Sequence, residues 1–188
     1  MAVIDLPGTY SLQPASPDEQ VTLEVIEGRR AGEDVPDALV VVVDATNLRM
    51  NLRLVLECRA LGRPMLVALN MVDMARRCGL VIDTQRLAAE LGCPVVETVA
   101  VQAGGQAALL QQLSDWALPA AASPVTMPPT VPPDGAALQR EVRRLLAAAV
   151  TGPAASDLGA ARRLQLRLDA WVLHPLWGPL ILAALLFV

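Results

Sequence analysis

No lysine occurs anywhere in the 188 residues, and all 15 basic side chains are arginines. A phosphate-binding loop of the Gly-x-x-x-x-Gly-Lys-Ser/Thr kind is therefore not encoded here, because that loop needs a lysine ammonium to reach the β- and γ-phosphates. Histidine is nearly absent too. His174 is the single one, too few for a histidine-rich metal site, and it lies beside an apolar tail, where no Ser/His/Asp or Cys/His catalytic group fits. Cys58, Cys78 and Cys93 are widely spaced with no Cys-x-x-Cys pair, which argues against a zinc site or disulfide framework and fits a reducing compartment. Positive charge is short as well: the formal net charge is −4, and the pairs Arg29-Arg30, Arg76-Arg77, Arg143-Arg144 and Arg162-Arg163 are scattered. A phosphate-tracking surface needs clustered positive charge, so nucleic acid is not expected as a partner.

Apolar residues are abundant, at 54% of the chain. Much of this is Ala, Leu and Val in stretches that read as strands and helices, but one run is different. Pro175 to Val188 is uncharged throughout, and a bilayer-spanning helix needs about 20 apolar residues. Counted from Ala170 the run falls slightly short, so residues 172–188 read as a membrane helix cut off before its far end. Trp171 and Trp177 flank its start as interfacial anchors, and Arg162-Arg163 favours a cytoplasmic location for residues 1–170. At the other end, Met1 to Asp5 reads as a buried strand already in mid-fold. Both ends suggest part of a larger machine.

Between them, strand and helix patterns alternate. Val3-Ile-Asp5 reads as a strand end, followed by a Pro-Gly turn. Ser16-Pro-Asp-Glu19 has the form of a capping box and predicts a helix to about Gly28. Ala38 to Asp44 is a continuous β-branched run, the pattern of a strand buried on both faces. A helix from about Leu48 to Leu61 should stop at Gly62, and Pro64 to Asn70 gives a second buried strand. Thr84 to Leu91 predicts a helix ending at Gly92, Pro94 to Ala100 a strand, and Gln106 to Leu118 another helix. This order predicts an α/β fold, a doubly wound and mainly parallel sheet with ligands at the carboxyl ends of its strands. Residues 119–133 read as a Pro/Ala-rich linker after a domain of residues 1–118, and residues 134–171 as a helical segment.

The polar residues that interrupt the apolar runs fall at that predicted edge: Asp5, Asp44, Asn70 and the Thr98 to Ala100 turn. Asp5-x-x-Gly8 suits a nucleotide's γ-phosphate and its Mg²⁺, since a carboxylate can hold a metal-bound water and a glycine lets a backbone N–H approach closely. In isolation, Asp-x-x-Gly is frequent by chance and usually marks an ordinary turn. Asn70-x-x-Asp73 has a sharper logic, because guanine presents two adjacent donors that a carboxylate matches and adenine does not. The plainer alternative is that Asn70 ends a strand and Asp73 starts a helix.

Together, Asp5-Leu-Pro-Gly-Thr-Tyr-Ser-Leu12, Val43-Asp-Ala-Thr-Asn-Leu48, Ala68-Leu-Asn-Met-Val-Asp73 and Leu91-Gly-Cys-Pro-Val-Val96 resemble the GTPase domain of the ferrous iron transport protein B (FeoB) family. Leu168 to Pro175 with Gly178 is similar to that family's entry into its first membrane helix. The resemblance implies a bacterial inner-membrane Fe²⁺ transporter whose cytoplasmic GTP-binding domain controls a pore. Carried over, Asp5 is the Mg²⁺-linked aspartate, Gly8 the γ-phosphate contact, and Asn70, Met71 and Asp73 the guanine-reading element. Thr9 to about Gly32 corresponds to the second switch, ordered or released with the γ-phosphate. Implied partners are the guanine nucleotide, the same transporter's membrane domain, the lipid bilayer and a small accessory Feo protein.

The chain departs from the family pattern in three ways. The phosphate-binding loop and first switch, expected before Met1, are missing, the helical insert is short, and the family's Ser-Ala turn is Val99-Ala100, which keeps only the Ala100 backbone N–H for the base. Losing several charge-assisted contacts of about 1.5–3 kcal/mol each predicts weak GTP/GDP and Mg²⁺ binding and no efficient GTPase activity for this chain alone. An alternative reading is a membrane-tethered, degenerate GTPase fold that binds a partner without nucleotide.

Overall fold

The computed structural model describes residues 2–14, 16–32, 34–117 and 135–152. In chain order the elements are α1 (Pro17–Glu27), β1 (Leu39–Asp44), a 3-10 turn (Ala45–Asn47), α2 (Leu48–Ala60), β2 (Met65–Asn70), α3 (Val72–Arg77), β3 (Val81–Ile82), α4 (Thr84–Leu91), β4 (Val95–Glu97), α5 (Ala107–Ala117), α6 (Gly135–Ala149) and β5 (Val150–Thr151). β1, β2 and β4 form a parallel sheet in the order β1-β2-β4, while β3 and β5 make a separate antiparallel pair. This is the α/β, parallel-sheet class expected from the alternation.

Register places the functional edge. Asp44 pairs with Asn70 and Leu69 with Glu97, so the three strands end side by side. β2 is the central strand, and Met65 to Leu69 are all buried, as a strand covered on both faces requires. α2 packs on β1, and α6 packs on α2 and α4. The α6 contribution is the stripe Leu138, Val142, Leu145 and Ala149, spaced to lie on one helix face.

The helix ends follow their local chemistry. Ser16 Oγ accepts from the Glu19 amide at 3.3 Å and Pro17 takes the first helical position of α1. The helix closes with Gly28 at φ 73°, its N–H donating to Val25 O at 3.0 Å while Arg29 N donates to Glu24 O at 2.8 Å. Asp83 Oδ1 caps α4 by accepting from Arg86 N at 2.9 Å.

Several expectations need correction. β1 is not buried on both faces: Leu39, Val41 and Val43 are buried, but Val40 and Val42 are 41% and 62% exposed. β1 is an edge strand with one covered face, so its side chains alternate even though its sequence does not. Val3-Ile-Asp5 is not a buried strand either, for residues 2–9 carry no regular structure and Val3 is 79% exposed. Among the described residues β1 pairs only with β2, and an apolar run without a partner strand leaves its N–H and C=O groups to solvent. β4 ends at Glu97 rather than at Ala100, because the chain turns away to close a loop of its own.

α6 fills the first part of the segment read as helical and then passes into β5. The linker 119–133, residues 153–171 and the apolar run 172–188 with His174, Trp171 and Trp177 lie outside the described residues. Among the described residues no helix is long and apolar enough to cross a membrane.

Candidate functional site

Asn70 organises the carboxyl edge. It is the first side chain of β2 to leave the packed interior, and its Oδ1 accepts from the Ala100 backbone N–H at 3.1 Å and from Thr98 Oγ1 at 3.4 Å. An amide N–H needs an acceptor, which fixes the side-chain orientation and leaves the Nδ2 donors without a protein partner among the described residues. Thr98 is buried, and its own N–H donates to Leu69 O at 2.8 Å, continuing the ladder one step past β4. The end of β2 and the 98–105 loop are thus joined through one side chain.

The loop itself is closed by short-range bonds. Val99 N donates to Gly105 O at 3.0 Å, Gln102 N to Val99 O at 2.9 Å and Gly105 N to Gln102 O at 3.0 Å. A Cβ on Gly105 would collide with the Val99 carbonyl, so glycine is required there. Both candidate amides are committed to protein acceptors: that of Val99 to Gly105, that of Ala100 to Asn70. The Ala100 N–H is therefore not the free donor expected from sequence, and any base contact would share it with Asn70.

Met71 follows in the left-handed region, at φ 61° and ψ 30°, the one non-glycine with positive φ among the described residues. Such a conformation costs about 1–3 kcal/mol and persists where the surroundings impose it. It reverses the chain from β2 into α3 within a single residue, and its carbonyl accepts the first helical bond, from Ala75 N at 3.0 Å. Asp73 is thereby set in the first turn of α3. Among the described residues its one partner is Arg77, whose Nη2 stands 4.0 Å from Oδ2, which leaves acceptor capacity open. Arg76 pins α3 across the edge by donating to Glu97 Oε2 at 2.6 Å. Asp44 is used locally, with Oδ1 accepting from Thr46 N at 2.8 Å and Thr46 Oγ1 at 2.7 Å.

Asp5 and Gly8 stand apart from this group. Both are exposed, and no hydrogen bond or ion pair joins either to Asn70, Asp73 or the 98–105 loop. Space around Gly8 is open, with nothing within 4 Å of where a Cβ would lie. The Asp5 carboxylate is a single exposed oxygen donor, and the described residues hold no cluster of three metal-ligating side chains. By themselves they do not form a Mg²⁺ site, which needs near-octahedral oxygen coordination.

Sequence reading missed Glu57 on α2, whose buried carboxylate binds the segment after Gly8, and the Thr98 hydroxyl. The signal for Glu57 was an acidic residue set among Val55, Leu56 and Cys58, all buried. Burial pushes the Cys58 thiol up to about 12, aided by the neighbouring Glu57 charge, and the Cys93 thiol up to about 11. Both therefore stay protonated at neutral pH, which disfavours a nucleophilic role.

Residues 1–113 match the family described as ferrous iron transport protein B. The chain belongs to the FeoB family. It is 42% identical over 113 residues to the Fe(2+) transporter FeoB of Escherichia coli K12, covering 58% of this chain and 14% of that protein. Against FeoB of Salmonella typhimurium LT2 the identity is 43% over the same 58% and 14% shares. The chain thus spans about one seventh of the length of these curated relatives. Among solved structures, the cytosolic domain of T. maritima FeoB in its GMPPNP form superposes with a TM-score of 0.56 at 31% identity, over 66% of this chain and 46% of that one. The FeoB G-domain of Methanococcus jannaschii gives 0.54 at 38% identity, over 59% and 68%. The β1-β2-β4 sheet and its helices are therefore a FeoB G-domain fold.

Proposed function

We propose that this chain carries the guanine-reading half of a FeoB nucleotide site, within a cytoplasmic regulatory domain that controls Fe²⁺ passage through an inner-membrane pore. The observation that carries the reading is the Asn70 bridge. It holds Oδ1 on the 98–105 loop and leaves the Nδ2 donors free among the described residues, beside a strand-to-helix turn that presents the Asp73 carboxylate. Guanine offers N1–H and 2-amino donors that suit Asp73, and N7 and O6 acceptors that suit Asn70 Nδ2. The relatives whose structures were determined in GMPPNP and GDP forms support the same ligand class.

Affinity should be low. Two charge-assisted contacts of about 1.5–3 kcal/mol each correspond to dissociation constants around the millimolar range, since 1 mM is about 4 kcal/mol. The chain has no lysine for the phosphates. Asp5 would approach Mg²⁺ only through water, and only with further ligands from phosphate, so no hydrolytic step is assigned to these residues. Fe²⁺ is the cargo of the whole transporter. The membrane domain, the bilayer and a small accessory Feo protein are its proposed partners.

The test is a titration of the chain with GDP and, separately, ADP, followed by amide chemical shifts. Millimolar GDP should move Asn70, Asp73 and Ala100, and ADP should not. Equal responses to both nucleotides, or none, would sink the guanine reading and favour a degenerate G-domain that serves as an interaction module.

A further inference from the structure

Glu57 is 6% exposed and sits on α2 between apolar neighbours, a costly place for a carboxylate unless its oxygens are fully used. They are. Oε2 accepts from the Leu12 backbone N–H at 2.5 Å and from Ser11 Oγ at 2.9 Å. Oε1 accepts from Arg53 Nε at 2.9 Å, one helical turn back, and lies 3.1 Å from the same Ser11 hydroxyl. Arg53 also reaches forward, with Nη2 donating to Gln13 Oε1 at 3.3 Å. Three consecutive residues just downstream of Gly8 are therefore held by two side chains of one helix. These residues form no helix or strand of their own.

The stretch just before Ser11 is tied to α1. Thr22 Oγ1 on α1 donates to Pro7 O at 2.9 Å, and Thr9 Oγ1 donates to Ser11 O at 2.6 Å and lies 3.3 Å from Glu19 Oε1. The Asp5-x-x-Gly8 segment is thus tied to α1 at Pro7, within it, and followed at once by residues that Glu57 holds on α2. Leu12 is only four chain steps beyond Gly8, so an extended chain lets Gly8 travel no more than about 14 Å from the latched amide.

We propose that Glu57 is a positioning residue for the Asp5-x-x-Gly8 segment: its buried carboxylate latches Ser11 and Leu12 onto α2 and limits where that segment can sit. What the segment is positioned for rests on the nucleotide reading above. The latch does not, and its test uses no nucleotide.

Amide hydrogen exchange of the full chain tests it, comparing the unaltered protein with Glu57→Gln, Ser11→Ala and the double variant. Glu57→Gln keeps the shape but removes the charge, so protection of the Leu12 amide should fall about tenfold or more, the loss expected of one charge-assisted bond. Protection of Leu66 to Leu69 in β2 should be unchanged. Ser11→Ala should act in the same direction and more weakly, and the double variant should differ little from Glu57→Gln alone, as partners in one contact do. Unchanged Leu12 protection in both single variants would overturn the latch. So would a loss shared equally by β2, which would make Glu57 a general stabilising residue. If Glu57→Gln does not fold, Ser11→Ala decides alone, because Ser11 is only partly buried.

Discussion

Replacing Asn70 by alanine removes the side-chain acceptor that joins β2 to the 98–105 loop, and the cost can be worked from its two bonds. The 3.1 Å bond from Ala100 N is a good one, but Ala100 is exposed and water can take over its amide, so the net loss is about 1 kcal/mol. The 3.4 Å bond from Thr98 Oγ1 is weak, yet Thr98 is buried and its hydroxyl donates to no other group among the described residues, which adds roughly 0.5–1.5 kcal/mol. Asn70→Ala should therefore destabilise by about 1.5–2.5 kcal/mol. The loop's own closing bonds remain, so the damage should appear as lost coupling rather than as an unfolded loop. Urea unfolding gives the free energy, and exchange at Ala100 gives the coupling. Asn70→Asp, which keeps an acceptor, should retain the Ala100 protection that alanine loses. A change below about 0.5 kcal/mol with Ala100 still protected would refute the bridge as a structural link.

Three further outcomes follow from other positions. Gly105→Ala drives a Cβ into the Val99 carbonyl and should cost about 1–3 kcal/mol, read as a lower urea midpoint and faster exchange at the Val99 amide. At pH 8 a thiol reagent should label Cys78, which is exposed, and leave Cys58 and Cys93 unmodified until the chain is denatured. Burial raises Cys58 from an ordinary 9.0 to about 12, so between these values the unfolded chain releases a proton that the folded chain keeps. Stability is then fully present below pH 9 and falls as pH rises toward 12; Cys58→Ala should flatten that alkaline decline in the urea midpoint.

The sequence announced elements where punctuation is local. Ser16-Pro17 and Gly28 bracket α1, and Thr84 to Leu91 with Gly92 delimits α4, because caps and left-handed glycines act within a turn of the residues that name them. Partner-dependent features were hidden. Val40 and Val42 look like core residues, but their exposure depends on what covers the second face of β1. Val3 and Ile4 look like a strand that no neighbour completes. β3 and β5 have two residues each, too few for any period to show. At the site, Asn70, Met71 and Asp73 were legible as a motif, while the commitment of the Ala100 amide and the Glu57 latch depend on contacts across 30 and 45 residues of chain.

The central claim is that Asp73 reads the donor face of guanine, and one pair of titrations tests it most directly. Xanthine carries a carbonyl where guanine has its 2-amino group, so an asparagine amide at position 73 would suit xanthine as a carboxylate suits guanine. The unaltered chain should bind GDP about tenfold or more tightly than xanthosine diphosphate, and Asp73→Asn should reverse the preference, each mismatch losing at least one charge-assisted or paired contact. Identical preferences in the two proteins would contradict the account, and with it the assignment of this edge as a guanine site.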